Sequence, residues 1–133
     1  MKEVVEMNKI DRILAKAKND PEVVAVFLFG SQARGEAGTG SDIDICLMLR
    51  PGKHDDSTLF QKRLSYLKES DADVQIFSRL PLYIRHRVLK EGKVLLSKDD
   101  DLLYEISFRT AQAFEDFKHI YYGYLEEVAG ARP

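Results

Sequence analysis

The sequence predicts an α+β protein, a small mixed β-sheet with flanking helices and a long C-terminal helix. Three observations carry this. Two apolar runs, "VVAVFLF" (23–29) and "DIDICLML" (42–49), are continuous rather than alternating, as in strands covered on both faces. Strand-like and helix-period segments follow one another as helix, strand, strand, helix, strand, helix, strand, helix. The chain then ends in one long amphipathic segment of about thirty residues.

Taken in order, residues 3–18 place Val4, Val5, Ile10, Ile13 and Leu14 at helical spacing, and "NDP" ends that helix. The 23–29 run is a strand stopped by Gly30, and the 42–49 run a strand stopped by "RPG". Residues 56–69 read as a helix with Leu59, Phe60, Leu64 and Leu67 on one side. "ADVQIF" (72–77) is a third short strand. "PLYIRHRVLKEG" (81–92) opens with Pro and closes with Gly, the usual punctuation of a helix. "KVLL" (93–96) is a brief strand, and "KDDD" (98–101) caps the final helix. That helix carries Leu103, Ile106, Ala113, Phe117, Ile120 and Tyr124 along one stripe. Tyr104, Phe108, Ala111, Tyr121, Tyr122 and Leu125 widen it, so one stripe packs on the sheet and the rest serves a dimer or a partner, unless the helix is buried on two sides.

The chain has 133 residues, which suits a single domain, and 44% apolar with 32% charged residues specifies a folded core. A net charge of −2 argues against indiscriminate binding to nucleic acid. Cys46 is the lone cysteine, so no internal disulfide exists, and its apolar neighbours read it as a buried thiol. "MKEVVEMNKI" has no apolar signal core and no run reaches transmembrane length, so a cytoplasmic protein is expected.

The chemistry concentrates in "GSQARGEAGTGSDIDI" (30–45). Residues alternate faces along a strand, so Asp42 and Asp44 point one way and Ile43 and Ile45 the other. Their Cα atoms lie about 6.6 Å apart, a spacing on which two carboxylates can converge on a divalent cation. Without a cation they repel each other and lose hydration. The plainer alternative is two aspartates at an exposed strand start, with Ser41–Asp42 a turn. Gly30 lets the backbone approach a phosphate, Ser31 adds a hydroxyl donor at a short helix start, and Arg34 adds a charge or braces the loop. An ordinary strand-to-helix turn is the alternative. Asp73 opens "DVQIF" with the parity of Gln75, opposite Val74 and Ile76, so it fits a third carboxylate, or a strand-edge charge; Asp71 reads as a solvated turn residue.

These residues resemble the signature of DNA polymerase β-like nucleotidyltransferases, a Gly-Ser, ten residues, then Asp-x-Asp. Here Gly30-Ser31 is followed by Gln32 to Ser41 and then Asp42-Ile43-Asp44. Gln32 stands where relatives often carry an aromatic or basic residue. The chain is most similar to the minimal nucleotidyltransferases that serve as antitoxins beside HEPN-domain toxins, and the likeness covers most of it. The resemblance implies one nucleotidyltransferase-fold domain over 1–133, with a catalytic core at about 3–97 and a C-terminal helix at about 99–128. It implies two Mg²⁺ ions at Asp42, Asp44 and Asp73, which also form the catalytic set, and a nucleotide-binding set of Gly30, Ser31, Arg34 and Ser41. It implies AMP transfer from ATP to a hydroxyl, with a HEPN-type toxin as partner. A non-catalytic antitoxin module and a small-molecule nucleotidyltransferase remain as alternatives.

Three other patterns are set aside. Arg79 and His86 have a HEPN-like Arg-x6-His spacing but straddle Pro81. Gly35, Gly38 and Gly40 precede a strand and make no dinucleotide fingerprint. His54, His86 and His119 are too scattered for a zinc site.

Overall fold

The computed structural model describes residues 2–30 and 43–130. The site calls at Ser31, Arg34, Ser41 and Asp42 lie outside these residues. The described residues form, in chain order, α1 (Lys2–Lys18), β1 (Val23–Phe29), β2 (Asp44–Leu49), α2 (Asp56–Leu67), β3 (Asp73–Ile76), a 3-10 turn (Phe77–Arg79), α3 (Leu82–Glu91), β4 (Lys93–Ser97) and α4 (Asp100–Gly130). The four strands form a mixed sheet in the order β3-β2-β1-β4. β1 runs antiparallel to β2 and β4, while β2 and β3 are parallel. The intervening α2 makes the crossover that a parallel pair requires.

Both sheet faces are covered, which explains the unbroken apolar runs. On one face Ile45 and Leu47 of β2 and Val74 and Ile76 of β3 pack with Ile13 and Ala17 of α1 and Leu59 and Tyr66 of α2. On the other, Phe27, Cys46 and Met48 pack against Val88 of α3 and Leu102, Leu103 and Ile106 of α4. Val24 and Ala25 both face this second layer, because the register shifts between Val23 and Ala25. Cys46 is fully buried, and burial pushes its thiol pKa well up, as a structural cysteine requires.

Some details depart from the sequence pattern. β2 begins at Asp44, although Ile43 before it is buried and its carbonyl accepts the Asp73 N–H at 2.8 Å. On α2, Phe60 and Leu64 are exposed, and the buried positions are Leu59 and Tyr66. Tyr66 is buried because its hydroxyl has a partner: it donates to Asp20 Oδ2 at 3.0 Å, beside Lys62 Nζ at 2.8 Å. Burial acts to raise the Asp20 pKa, but hydrogen bonds from Lys62, the Glu22 N–H and Tyr66 outweigh it and hold that carboxyl below its ordinary value.

On α4 the apolar stripe packs only in its first half. Leu103 and Ile106 join the core, whereas Phe117, Ile120 and Tyr124 are exposed. At ~1.5 Å per residue the 31-residue helix runs about 46 Å. The seven residues of β1, the longest strand, span only about 23 Å at ~3.3 Å each. The sheet therefore runs out before the helix does. Among the described residues no helix is long and apolar enough to cross a membrane.

Candidate active site

Gly30, Asp44 and Asp73 meet at one end of the sheet. Strand register does this. Phe29, the last residue of β1, pairs with Asp44, the first of β2, and Asp44 pairs with Asp73, the first of β3. Residues paired across a parallel ladder share a face, so the two carboxylates stand side by side on strands about 4.8 Å apart. Val74 and Ile76 in the opposite core layer fix that orientation. A slip of one residue would turn Asp73 inward, at the cost of burying a charge.

Gly30 has φ +79°, in the left-handed region, and takes the chain out of β1. A side chain there would do more than strain the backbone. Its Cβ would collide with Asp44 Oδ2 and come within 3.3 Å of Asp44 Cγ. The glycine thus makes room for the carboxylate, a role the sequence reading gave to a phosphate instead.

Asp73 is held from two sides. Gln75 Nε2 donates to both of its oxygens, at 3.2 and 3.3 Å. Arg63 Nη2 reaches Asp73 Oδ1 at 3.3 Å, while Arg63 Nε donates to the Val74 carbonyl at 2.6 Å and so anchors the guanidinium to the edge strand. These two residues orient the carboxylate, and sequence reasoning assigned neither a role. The signal for Gln75 was its parity with Asp73; Arg63 gave none, because a helical arginine ten residues away looks like a solvated charge. Asp71, by contrast, is 90% exposed and pairs with Lys9 Nζ at 3.4 Å, as a solvated turn residue does.

A cavity of about 250 Å³ lies beside Gly30, under α3, lined by Phe29, Ile84, Arg87, Val88 and Glu91. Arg87 Nη2 stands 3.6 Å from Glu91 Oε2. The chain therefore brings carboxylates, a glycine turn and a cation to the same sheet end.

The patterns set aside in the sequence stay apart in the fold. His86 on α3 stacks on Phe114 of α4 with ring centroids 3.9 Å apart, and Arg79 pairs with Asp56. Among the described residues no group of three or more His, Cys, Asp or Glu side chains is placed to hold a metal. Asp44 and Asp73 are two of the three predicted ligands, and both are hard oxygen donors suited to a cation such as Mg²⁺.

The profile of the polymerase beta nucleotidyltransferase family matches residues 8–101. A Methanocaldococcus jannaschii protein named as a candidate protein adenylyltransferase is 35% identical over 81 residues, which is 61% of this chain and 62% of that protein's length. A chain in a crystal structure of a toxin–antitoxin complex with AMP-PNP superposes with a TM-score of 0.67 at 22% identity, covering 92% of this chain and 97% of its own. A chain from the complex of a tri-AMPylated Shewanella oneidensis HEPN toxin with its MNT antitoxin gives a TM-score of 0.63 at 18% identity, over 93% and 98% of the two chains. At those identities the two structures share the fold.

Proposed function

Because this chain belongs to the polymerase beta nucleotidyltransferase family, we propose that it transfers AMP from ATP to a hydroxyl of a partner HEPN-type toxin and is the antitoxin of that pair. The observation that carries this is the placement of Asp44 and Asp73 side by side at paired strand starts, against Gly30. The name of the archaeal relative favours the adenylyl group. The toxin–antitoxin complexes that share the fold favour the partner class. The proposal takes residues 1–133 as one cytoplasmic domain.

Asp42, Asp44 and Asp73 would hold two Mg²⁺ ions, which supply positive charge at the α-phosphate and lower the pKa of the acceptor hydroxyl. Gly30, Ser31, Arg34 and Ser41 bind the nucleotide, and Arg87 adds charge on the α3 side. Gln75 and Arg63 hold Asp73 so that its carboxylate faces the acceptor and accepts the hydroxyl proton. The acceptor oxygen bonds to the α-phosphorus. The bond from that phosphorus to the α,β-bridging oxygen breaks, and pyrophosphate leaves with the electron pair.

The test is the intact mass of the co-expressed toxin, with pull-down in parallel. A gain of one or more adenylyl groups is expected. It should vanish in the Asp42→Asn/Asp44→Asn/Asp73→Asn variant while association persists, because metal ligands act in the transition state. The exposed apolar surface of α4 favours a second reading, neutralisation by contact alone. An unmodified toxin that the triple variant still neutralises would establish it.

A further inference from the structure

The largest cavity described, about 500 Å³, lies at the opposite end of β2 from the carboxylates. Asp44 opens that strand and Leu49 closes it, so five steps of ~3.3 Å separate the two sites by roughly 17 Å. Arg50, Arg79, Arg85 and Arg109 line the cavity, and among the described residues no carboxylate does. These arginines come from four different elements: the β2–α2 loop, the 3-10 turn, α3 and α4. Met48, Phe77 and Ile106 give it an apolar floor.

The arginines differ in what already holds them. Arg50, Arg79 and Arg109 each pair with one carboxylate outside the lining, from Asp99, Asp56 and Glu105. Their side chains are 47%, 52% and 70% exposed, so these are weak surface pairs that a more highly charged anion displaces readily. Arg85 is half-buried. Its Nε donates to the Leu80 carbonyl at 3.1 Å, which fixes the guanidinium plane, and no carboxylate pairs with it among the described residues. The remaining N–H groups of this guanidinium form a planar fork that suits phosphate oxygens. The volume lies within the range of small-ligand sites.

We infer that this cavity is a second, metal-independent site for a small phosphate-bearing ligand of the nucleotide class, with its phosphates on the arginines and its flat body on the Met48–Phe77–Ile106 floor. The site stands apart from the nucleotidyl-transfer reading, since it shares no residue with the carboxylate end. Calorimetric titration of the full chain in EDTA with ADP and with inorganic tripolyphosphate tests it. One saturable equivalent is expected for each probe. Arg85→Gln/Arg109→Gln should weaken both at least tenfold, and Asp44→Asn/Asp73→Asn should change them less than twofold. Arg109→Gln alone, at an exposed helix position, should keep the melting temperature and still weaken binding about threefold. ADP binding tenfold tighter than tripolyphosphate assigns a nucleotide, whereas tighter tripolyphosphate binding overturns that class. No saturable binding below millimolar concentration, or binding that only the aspartate variant removes, overturns the site itself.

Discussion

Replacing Gly30 by alanine separates backbone strain from crowding of Asp44. The +79° φ costs an L residue about 1–2 kcal/mol. The new methyl also occupies the space of Asp44 Oδ2, so the carboxylate must rotate off its rotamer at about 0.5–1.5 kcal/mol. The total, roughly 1.5–3.5 kcal/mol, lowers the melting temperature of a chain this size by on the order of 10 °C. Asp44 Cβ lies 3.5 Å from the added carbon, an ordinary contact. In an Asp44→Ala background the crowding therefore disappears and only the backbone cost of about 1–2 kcal/mol remains. The assay is a double-mutant cycle by denaturant unfolding, with adenylyl transfer read by intact mass. Transfer should fall by an order of magnitude or more in Gly30→Ala, because the carboxylate has moved. Equal costs of Gly30→Ala in the two backgrounds, or a melting temperature within 1 °C of the parent, would refute the account.

Further outcomes follow from the same geometry. ATP should bind far more weakly without Mg²⁺ and in Asp42→Asn/Asp44→Asn, and calorimetry showing equal affinities would sink the site assignment. Without metal, that same double variant should melt at or above the parent temperature, since it relieves like-charge repulsion; a large drop would make the pair structural. Phe117→Asp and Tyr121→Asp, at side chains half exposed, should leave the melting temperature within about 2 °C yet weaken toxin pull-down, whereas Ile106→Asp should unfold the chain. Because the folded pKa of Asp20 lies below its ordinary value, its contribution is present above the ordinary carboxylate range and is lost as pH falls through the folded value. The stability gap between the parent and Asp20→Asn should therefore shrink on acidification from pH 6 to pH 2, and a constant gap in urea melts would contradict the network.

How much was legible in the sequence depended on whether a feature was local. β1 matched its run at both ends, because a continuous apolar stretch with Gly30 after it leaves no other register. The parity of Asp73 was legible too, since Val74 and Ile76 must go inward. Its position beside Asp44 was not, for that depends on which strand β3 joins, and the α2 crossover decides it. Tyr66 was missed because its burial rests on Asp20, forty-six positions away in sequence. Phe60 and Leu64 misled for the converse reason: a helix on the flank of a sheet buries a narrower arc than its apolar residues cover. The contact of Gly30 with Asp44 needs the Phe29↔Asp44 pairing, and no spacing rule supplies that.

The two halves of α4 obey different constraints. Near its start Leu102, Leu103 and Ile106 complete the second core layer, and Thr110 is buried with its hydroxyl donating to the Ile106 carbonyl at 2.9 Å. Substitutions there act on folding. From Phe117 onward every large apolar side chain is at least 37% exposed, and Tyr121 stacks on Phe117 and meets Tyr122 edge-on. Isolated helices gain little from propensity alone, so a segment that keeps its helical form while exposing so many aromatic side chains is stabilised fully only when something covers them. Under the proposed function that cover is the toxin. The helix then does two jobs in series: its first half is part of the domain that holds Asp44 and Asp73, and its second half presents the substrate protein to it. Charges placed along α4 should accordingly change from destabilising the fold to weakening association as they pass Ala113, with the carboxylates untouched in both cases.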